Sequence, residues 1–110
     1  MIDWNRIAEL RDEIGAEDFS EVVSLFLEEV NQVAERLRTG IVHEELASDL
    51  HFLKGSAMNL GFSRFAVMCQ AGERDAAAGR ADDVDVDKIL KCYDESQSEF
   101  MSELDARLSP

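Results

Sequence analysis

A histidine, a lysine and a glycine stand close together at positions 51, 54 and 55, with a spacing that suits phosphoryl chemistry. If this segment is helical, Lys54 and Gly55 follow His51 at i+3 and i+4 and are its neighbours one turn along. Neutral imidazole is a nucleophile near pH 7, and an ammonium beside it can neutralise an arriving anion. Glycine inside a helix costs about 1 kcal/mol relative to alanine, so Gly55 indicates that another molecule needs that space. We therefore expect His51 to accept or donate a phosphoryl group.

The same segment carries an apolar stripe that places His51 on the water side of a helix. Its members follow one another at steps of three and four: Leu46, Leu50, Leu53, Ala57 and Leu60. At about 100° per residue, His51 lies roughly 140° from the centre of this stripe. An ordinary exposed histidine is the alternative interpretation, and the lysine and glycine beside it argue against that.

The string His-x-Leu-Lys-Gly-Ser-Ala-x-Asn-Leu-Gly over residues 51–61 resembles the signature of histidine-containing phosphotransfer (HPt) domains. The resemblance implies a four-helix bundle in a multistep phosphorelay. The histidine would take a phosphoryl group on Nε2 from the aspartate of one receiver domain and pass it to another. It implies response-regulator receivers and a hybrid or sensor histidine kinase as partners. The protein would be a phosphoryl carrier rather than an enzyme, with no cofactor of its own and with Mg²⁺ in the partner receiver.

Two alternatives to a phosphoryl carrier stay open. The chain could be a helical interaction module that binds a receiver or kinase without being phosphorylated. It could also be a P1-like segment of a larger histidine kinase, although its 110 residues hold no kinase domain. Coherent helical patterns at both ends favour a free-standing protein.

A glutamate on the next predicted helix, Glu73, is a candidate for orienting the imidazole. Similar proteins often have Gln or Glu at this place, where the side chain accepts a hydrogen bond from the second ring nitrogen. A surface glutamate of an acidic protein is the alternative, and both interpretations stay open. Gly72 departs from the family, which usually has a larger apolar residue there, so the reach of Glu73 depends on how this helix packs.

Four further residues near the His51 face are candidates for partner binding: Phe52, Met58, Asn59 and Phe62. An exposed apolar cluster would form a docking patch, and methionine suits a surface that accepts several partners. Membership of the core is the alternative for its apolar members. His43 lies roughly on the side of His51, but no cysteine or close carboxylate completes a metal site, so we expect none.

Helical periodicity covers the whole chain and predicts no strand. The first four predicted helices span residues 3–14, 17–39, 43–60 and 64–79. The last predicted helix runs from an acidic start near residue 82 to about residue 108. Asp3 and Ser63 are the expected N-caps, and Gly40 the expected left-handed residue after the second helix. We therefore predict one all-α domain over residues 1–110, an up-down four-helix bundle with a short additional N-terminal helix.

Composition and charge narrow the class of protein. A net charge of −13 argues against binding to nucleic acid or to an anionic membrane, and with a complete bundle it favours a monomer. Cys69 and Cys92 lie in apolar helical patterns without metal-site spacing, so we expect buried free thiols in a reducing compartment. No leader peptide and no apolar run long enough for a membrane span is visible, so we expect a cytoplasmic protein.

Overall fold

Five α-helices follow one another in the computed structural model, which describes residues 1–108. Within those residues there is no strand, so the all-helical class is confirmed. A 3-10 turn at Ala81–Asp83 separates the last two helices. The helices are α1 Trp4–Ile14, α2 Ala16–Thr39, α3 His43–Asn59, α4 Ser63–Ala77 and α5 Val86–Leu108.

The predicted apolar stripe of α3 is the centre of the core. Leu46, Leu50 and Leu53 are fully buried, and Ala57 and Leu60 are 1% exposed. Each leucine buried in this way contributes roughly 1.5–3 kcal/mol of hydrophobic stabilisation. The stripe is therefore confirmed, and it fixes which face α3 turns to solvent.

The two ends of α1 follow the prediction. The Asp3 side chain accepts a hydrogen bond from the backbone N–H of Arg6 at 3.1 Å, which is an N-cap contact. Gly15, with φ of +101°, follows the last residue of α1 and separates it from α2. Trp4 stacks on Phe100 with ring centroids 5.9 Å apart, so the first helix is held against the last one.

The second helix ends at residue 39 as predicted, but three other predictions about helix ends are wrong. Gly40 has an extended backbone, with φ of 172°, because the Thr39 hydroxyl and the Gly40 N–H both donate to the Arg36 carbonyl and complete the helix end. Ser63 is the first residue of α4 rather than its cap, and α4 ends at Ala77. The last helix begins at Val86 rather than near 82, since Asp82 and Asp83 lie in the 3-10 turn.

The N-terminal segment packs against the turn between α3 and α4. The Asp3 N–H donates to the Gly61 carbonyl at 2.7 Å. Gly61 has φ of +72°, and a Cβ there would lie 2.6 Å from the Asp3 carbonyl oxygen. Only glycine fits this approach of two backbone segments. Gly61, the last residue of the signature, is therefore required by the packing of the chain.

Two ion pairs join α2 to other helices. Arg36 contacts Asp49 of α3 at 2.8 Å, and Arg38 contacts Asp94 of α5 at 2.7 Å. The Arg38 and Asp94 side chains are 39% and 58% exposed, so that pair contributes about 0–1 kcal/mol, whereas Asp49 is only 14% exposed in its pair with Arg36. Cys69 and Cys92 are free and buried, as predicted. No helix within residues 1–108 is both long and apolar enough to cross a bilayer.

Candidate functional site

His51 lies in the middle of α3 with its side chain 69% exposed. Its Nδ1 is 2.9 Å from Oε2 of Glu73 on α4. A carboxylate only accepts hydrogen bonds, so this contact requires the proton on Nδ1 and leaves the lone pair on Nε2. Within residues 1–108, no hydrogen bond engages Nε2. The ring thus combines a held nitrogen with one that is available to react.

Lys54 contacts the other oxygen of the same carboxylate. Its Nζ lies 2.9 Å from Oε1 of Glu73, and both side chains are 23% exposed. The Lys54 ammonium, and after it the hydrogen bond with His51, lower the pKa of Glu73 against the opposing effect of burial. Glu73 is therefore ionised at neutral pH, as the hydrogen bond from Nδ1 requires. The predicted site residues His51, Lys54 and Glu73 lie in one connected group.

Gly55 leaves open space one turn along from His51. A Cβ built on Gly55 meets no atom within 4 Å outside its own helix backbone. Glycine is therefore not needed here for packing within the chain. The open surface is consistent with an approach by another molecule, as the sequence predicts.

The predicted docking patch is only partly at the surface. Phe52 is 38% exposed, Met58 is 60% exposed and Asn59 is exposed. The prediction that Phe62 belongs to this patch is wrong, because its ring is fully buried against Tyr93 and Phe100. The chain reverses at Gly61, and this turn directs Phe62 into the core instead of along the exposed face of α3.

Gly72 explains how Glu73 reaches His51. A Cβ on Gly72 would lie 2.9 Å from Leu50 Cδ1 and 3.1 Å from Ile89 Cδ1. Neighbouring aliphatic side chains therefore fill the space that a larger residue would occupy. The close approach of α4 to α3 places the next residue, Glu73, beside the imidazole.

Val67 on α4 is an apolar residue whose side chain is 66% exposed. It lies off the buried face of α4 formed by Phe65, Cys69 and Gly72. His43 contacts Asp82, with 3.2 Å between Nδ1 and Oδ1. Among the described residues, no group of three His, Cys, Asp or Glu side chains is placed to hold a metal ion.

Comparison with known proteins gives one match. A family model described as the Hpt domain matches residues 21–106, which include α3, α4 and the group around His51. Searches of curated proteins and of solved structures give no match. Because the matched region covers nearly the whole chain, the protein belongs to the Hpt domain family, whose members are histidine phosphocarriers of two-component signalling rather than catalysts.

Proposed function

We propose that this protein carries a phosphoryl group on His51 between the receiver domains of a phosphorelay. The observation that supports this most directly is the hydrogen bond from His51 Nδ1 to Glu73, which leaves Nε2 available on an exposed ring. Family membership supports the reaction class, and the hydrogen bond on Nδ1 supports Nε2 as the acceptor atom.

In the proposed step, the Nε2 lone pair attacks the phosphorus of an aspartyl phosphate in a receiver. The Nε2–P bond forms while the bond between phosphorus and the aspartate oxygen breaks, and its electrons return to the aspartate as carboxylate. Nδ1 keeps its proton, so the ring becomes cationic. The Glu73 carboxylate at 2.9 Å stabilises that charge as it develops. The reverse sequence passes the group to the aspartate of a second receiver.

Lys54 is placed to act on the phosphoryl oxygens. Its ammonium has three N–H donors and forms an ion pair with Glu73 Oε1 at 2.9 Å. It can therefore bridge the carboxylate and a phosphoryl group on Nε2. Phosphoryl transfer depends mainly on positioning and on stabilising oxygen charge, so one ammonium at this place is useful.

The residues around His51 form the surface over which a partner would approach the ring. Gly55 leaves the approach to the ring open, while Phe52, Met58 and Asn59 supply contacts for a docking partner. The receiver would bring the phospho-aspartate and Mg²⁺, and the present chain needs no cofactor of its own. A hybrid or sensor histidine kinase would supply the group at the start of the relay.

The architecture we propose is an up-down bundle of α2 to α5 with α1 packed across it, forming one domain over residues 1–110. Long helices joined by short connections support this arrangement. The net charge of −13 favours a monomer. A cytoplasmic location accords with the reduced state of both thiols.

The test is a relay with two receivers and radiolabelled phosphate. One receiver is labelled on its aspartate, purified, and mixed with Mg²⁺, the protein and a second receiver. We expect label to pass through the protein to the second receiver, with His51→Ala blocking the passage. His43→Ala, which changes the only other histidine, is the matched control and should transfer normally.

Three outcomes would contradict the proposal. Label on the His51→Ala protein would place the acceptor elsewhere. Binding of receivers without label on the wild-type protein would assign the chain to a binding-only module. Label that arrives from ATP through a kinase domain but never from a receiver would indicate a P1-like segment.

A further inference from the structure

Arg74, the residue that follows Glu73 on α4, is exposed to solvent. Among the residues that the structure describes, its guanidinium forms no ion pair and no hydrogen bond. The neighbouring carboxylate of Asp75 is bound by Arg80 instead, with 3.0 Å between the two groups. Arg74 is therefore a cation that is available to an anion from outside the chain.

The helices α3 and α4 run antiparallel to each other. Leu50 of α3 lies against Gly72 of α4. Farther along α3, Ala57 lines the same groove as Ala66, which comes earlier in α4. In an antiparallel pair, rotations of the same sense about the two helix axes carry side chains to the same side of the contact.

Arg74 and His51 lie on the same side of the contact between these helices. On α3, one step of about 100° leads from buried Leu50 to His51, which is 69% exposed. On α4, the same step leads from Glu73, which hydrogen-bonds His51, to Arg74. Long side chains of a helix point back toward its N-terminus, so the guanidinium can extend over the turn of Glu73, at the level of His51. A phosphoryl group on Nε2 would therefore lie within reach of Arg74.

The charge at the site changes when His51 is phosphorylated. Beforehand the imidazole is neutral, and the Lys54 ammonium at 2.9 Å balances the Glu73 carboxylate. Afterwards the ring is cationic and the phosphoryl group carries a charge of about −2, so the site gains a net negative charge. This charge is added to a chain that already has a net charge of −13. A second cation would balance it, and a guanidinium can bind phosphoryl oxygens through two parallel N–H donors.

We infer that Arg74 binds the oxygens of a phosphoryl group carried on His51 and shares its charge with Lys54. The inference rests on the proposed function and adds to it a second phosphoryl-binding residue. By this contact, Arg74 stabilises the phosphorylated protein and favours retention of the group on His51. The alternative is a purely structural role in the last turn of α4, where a basic side chain interacts favourably with the helix dipole.

The test compares two sources of phosphoryl group. One is a receiver domain selected from a panel because it labels the wild-type protein. The other is phosphoramidate, a small molecule whose P–N bond breaks with loss of ammonia as the Nε2–P bond forms. The measurements are the labelling rate from each source and the equilibrium constant for exchange of the group with the receiver. Arg74→Gln should lower all three by about threefold to tenfold, because a charge-assisted contact is lost.

The matched control is Arg64→Gln, which changes another exposed arginine of α4, near the start of the helix. It should leave the rates and the equilibrium unchanged. Arg74→Lys keeps the charge but not the planar fork, so it should restore part of the loss. Because exposed charges are screened by salt, the difference between wild type and Arg74→Gln should shrink at about 1 M salt.

The ³¹P resonance of the phosphorylated protein gives a readout that helix stability does not change. A guanidinium beside the phosphoryl group favours its dianion. In a pH titration of this resonance, the midpoint for Arg74→Gln should therefore lie at higher pH than that for wild type. Circular dichroism and thermal unfolding verify that each variant is folded.

Equal rates and equilibria for Arg74→Gln and Arg64→Gln would overturn the inference and leave the proposed function intact. A loss with the receiver but not with phosphoramidate would assign Arg74 to the contact with the receiver and would also overturn it. Lower thermal stability with unchanged labelling would assign Arg74 to the helix end alone. If neither phosphoramidate nor any receiver of the panel labels the wild-type protein, the proposed function fails and the inference fails with it.

Discussion

Glu73 Oε2 lies 2.9 Å from His51 Nδ1, across 22 positions of sequence and from a different helix. Its other oxygen lies 2.9 Å from the Lys54 ammonium. One carboxylate therefore accepts the hydrogen bond from Nδ1 and also pairs with the Lys54 ammonium. In the proposed reaction, this arrangement leaves Nε2 available to attack and stabilises the ring as it becomes cationic.

Replacement of Glu73 by Gln should slow phosphoryl acceptance from a receiver by about tenfold. The amide still accepts a hydrogen bond from Nδ1, but it loses the negative charge that stabilises the cationic ring, a difference of about 1.4 kcal/mol. The measurement is the labelling rate at saturating receiver. Glu21→Gln, which changes an exposed glutamate on α2, is the control. Equal rates for the two variants would show that Glu73 has no part in the reaction.

The pH dependence of stability should also report on Glu73. The pKa of Glu73 is lower in the folded protein than in the unfolded chain, chiefly because of Lys54. The contribution of ionised Glu73 to the free energy of unfolding is therefore fully present above the ordinary glutamate pKa of about 4.3. That contribution is lost as the pH falls through the lowered pKa. We expect the difference in unfolding free energy between wild type and Glu73→Gln to be constant from about pH 7 to 5 and to shrink below about pH 4.3. Urea unfolding at several pH values measures it, and a difference that grows in acid would have the wrong sign.

Two substitutions at Gly55 should separate its effect on protein stability from its effect on the access of a receiver to His51. Gly55→Ala should raise the unfolding free energy by about 0.5–1 kcal/mol, because the helix gains propensity and the Cβ meets nothing within 4 Å. Gly55→Glu should fold but lose transfer from the receiver, because a long anionic side chain then lies over the approach to His51. Thermal unfolding and receiver labelling give the two readouts. Normal transfer by Gly55→Glu would refute the role of Gly55 in access.

Gly61→Ala should destabilise the protein more than Gly79→Ala. Both glycines have positive φ, +72° and +83°, so both variants have a backbone strain of about 1–2 kcal/mol. Only at Gly61 would the new Cβ meet another segment, the Asp3 carbonyl oxygen at 2.6 Å. We expect the Gly61 variant to lose about 1–3 kcal/mol more in chemical unfolding. Equal losses of stability in the two variants would mean that the N-terminal segment moves away from the new Cβ without destabilising the protein.

Features set by local helix geometry were predictable from the sequence. The relation of His51 to Lys54 and Gly55 and the burial of Leu50 and Leu53 follow from the period of a single helix. The N-cap at Asp3 is equally local, because the contact spans three residues. Such contacts need no knowledge of how the helices pack.

Features that depend on packing between elements were not predictable. The sequence could not decide whether Glu73 reaches His51, because the answer depends on how closely α4 approaches α3 at Gly72. Phe62 follows a turn, and there helical period no longer tells which way a side chain points. Gly40 does not adopt the left-handed conformation, because a hydroxyl on Thr39 completes the helix end in another way.

The central claim is that Nε2 of His51 bears the phosphoryl group while Glu73 holds Nδ1. Nuclear magnetic resonance of ¹⁵N-histidine-labelled protein, recorded after phosphorylation by a receiver with Mg²⁺, tests it most directly. We predict coupling between phosphorus and Nε2 of His51, with Nδ1 still protonated, and no change at His43. A phosphoryl group on Nδ1, on His43 or on any other residue would contradict the account.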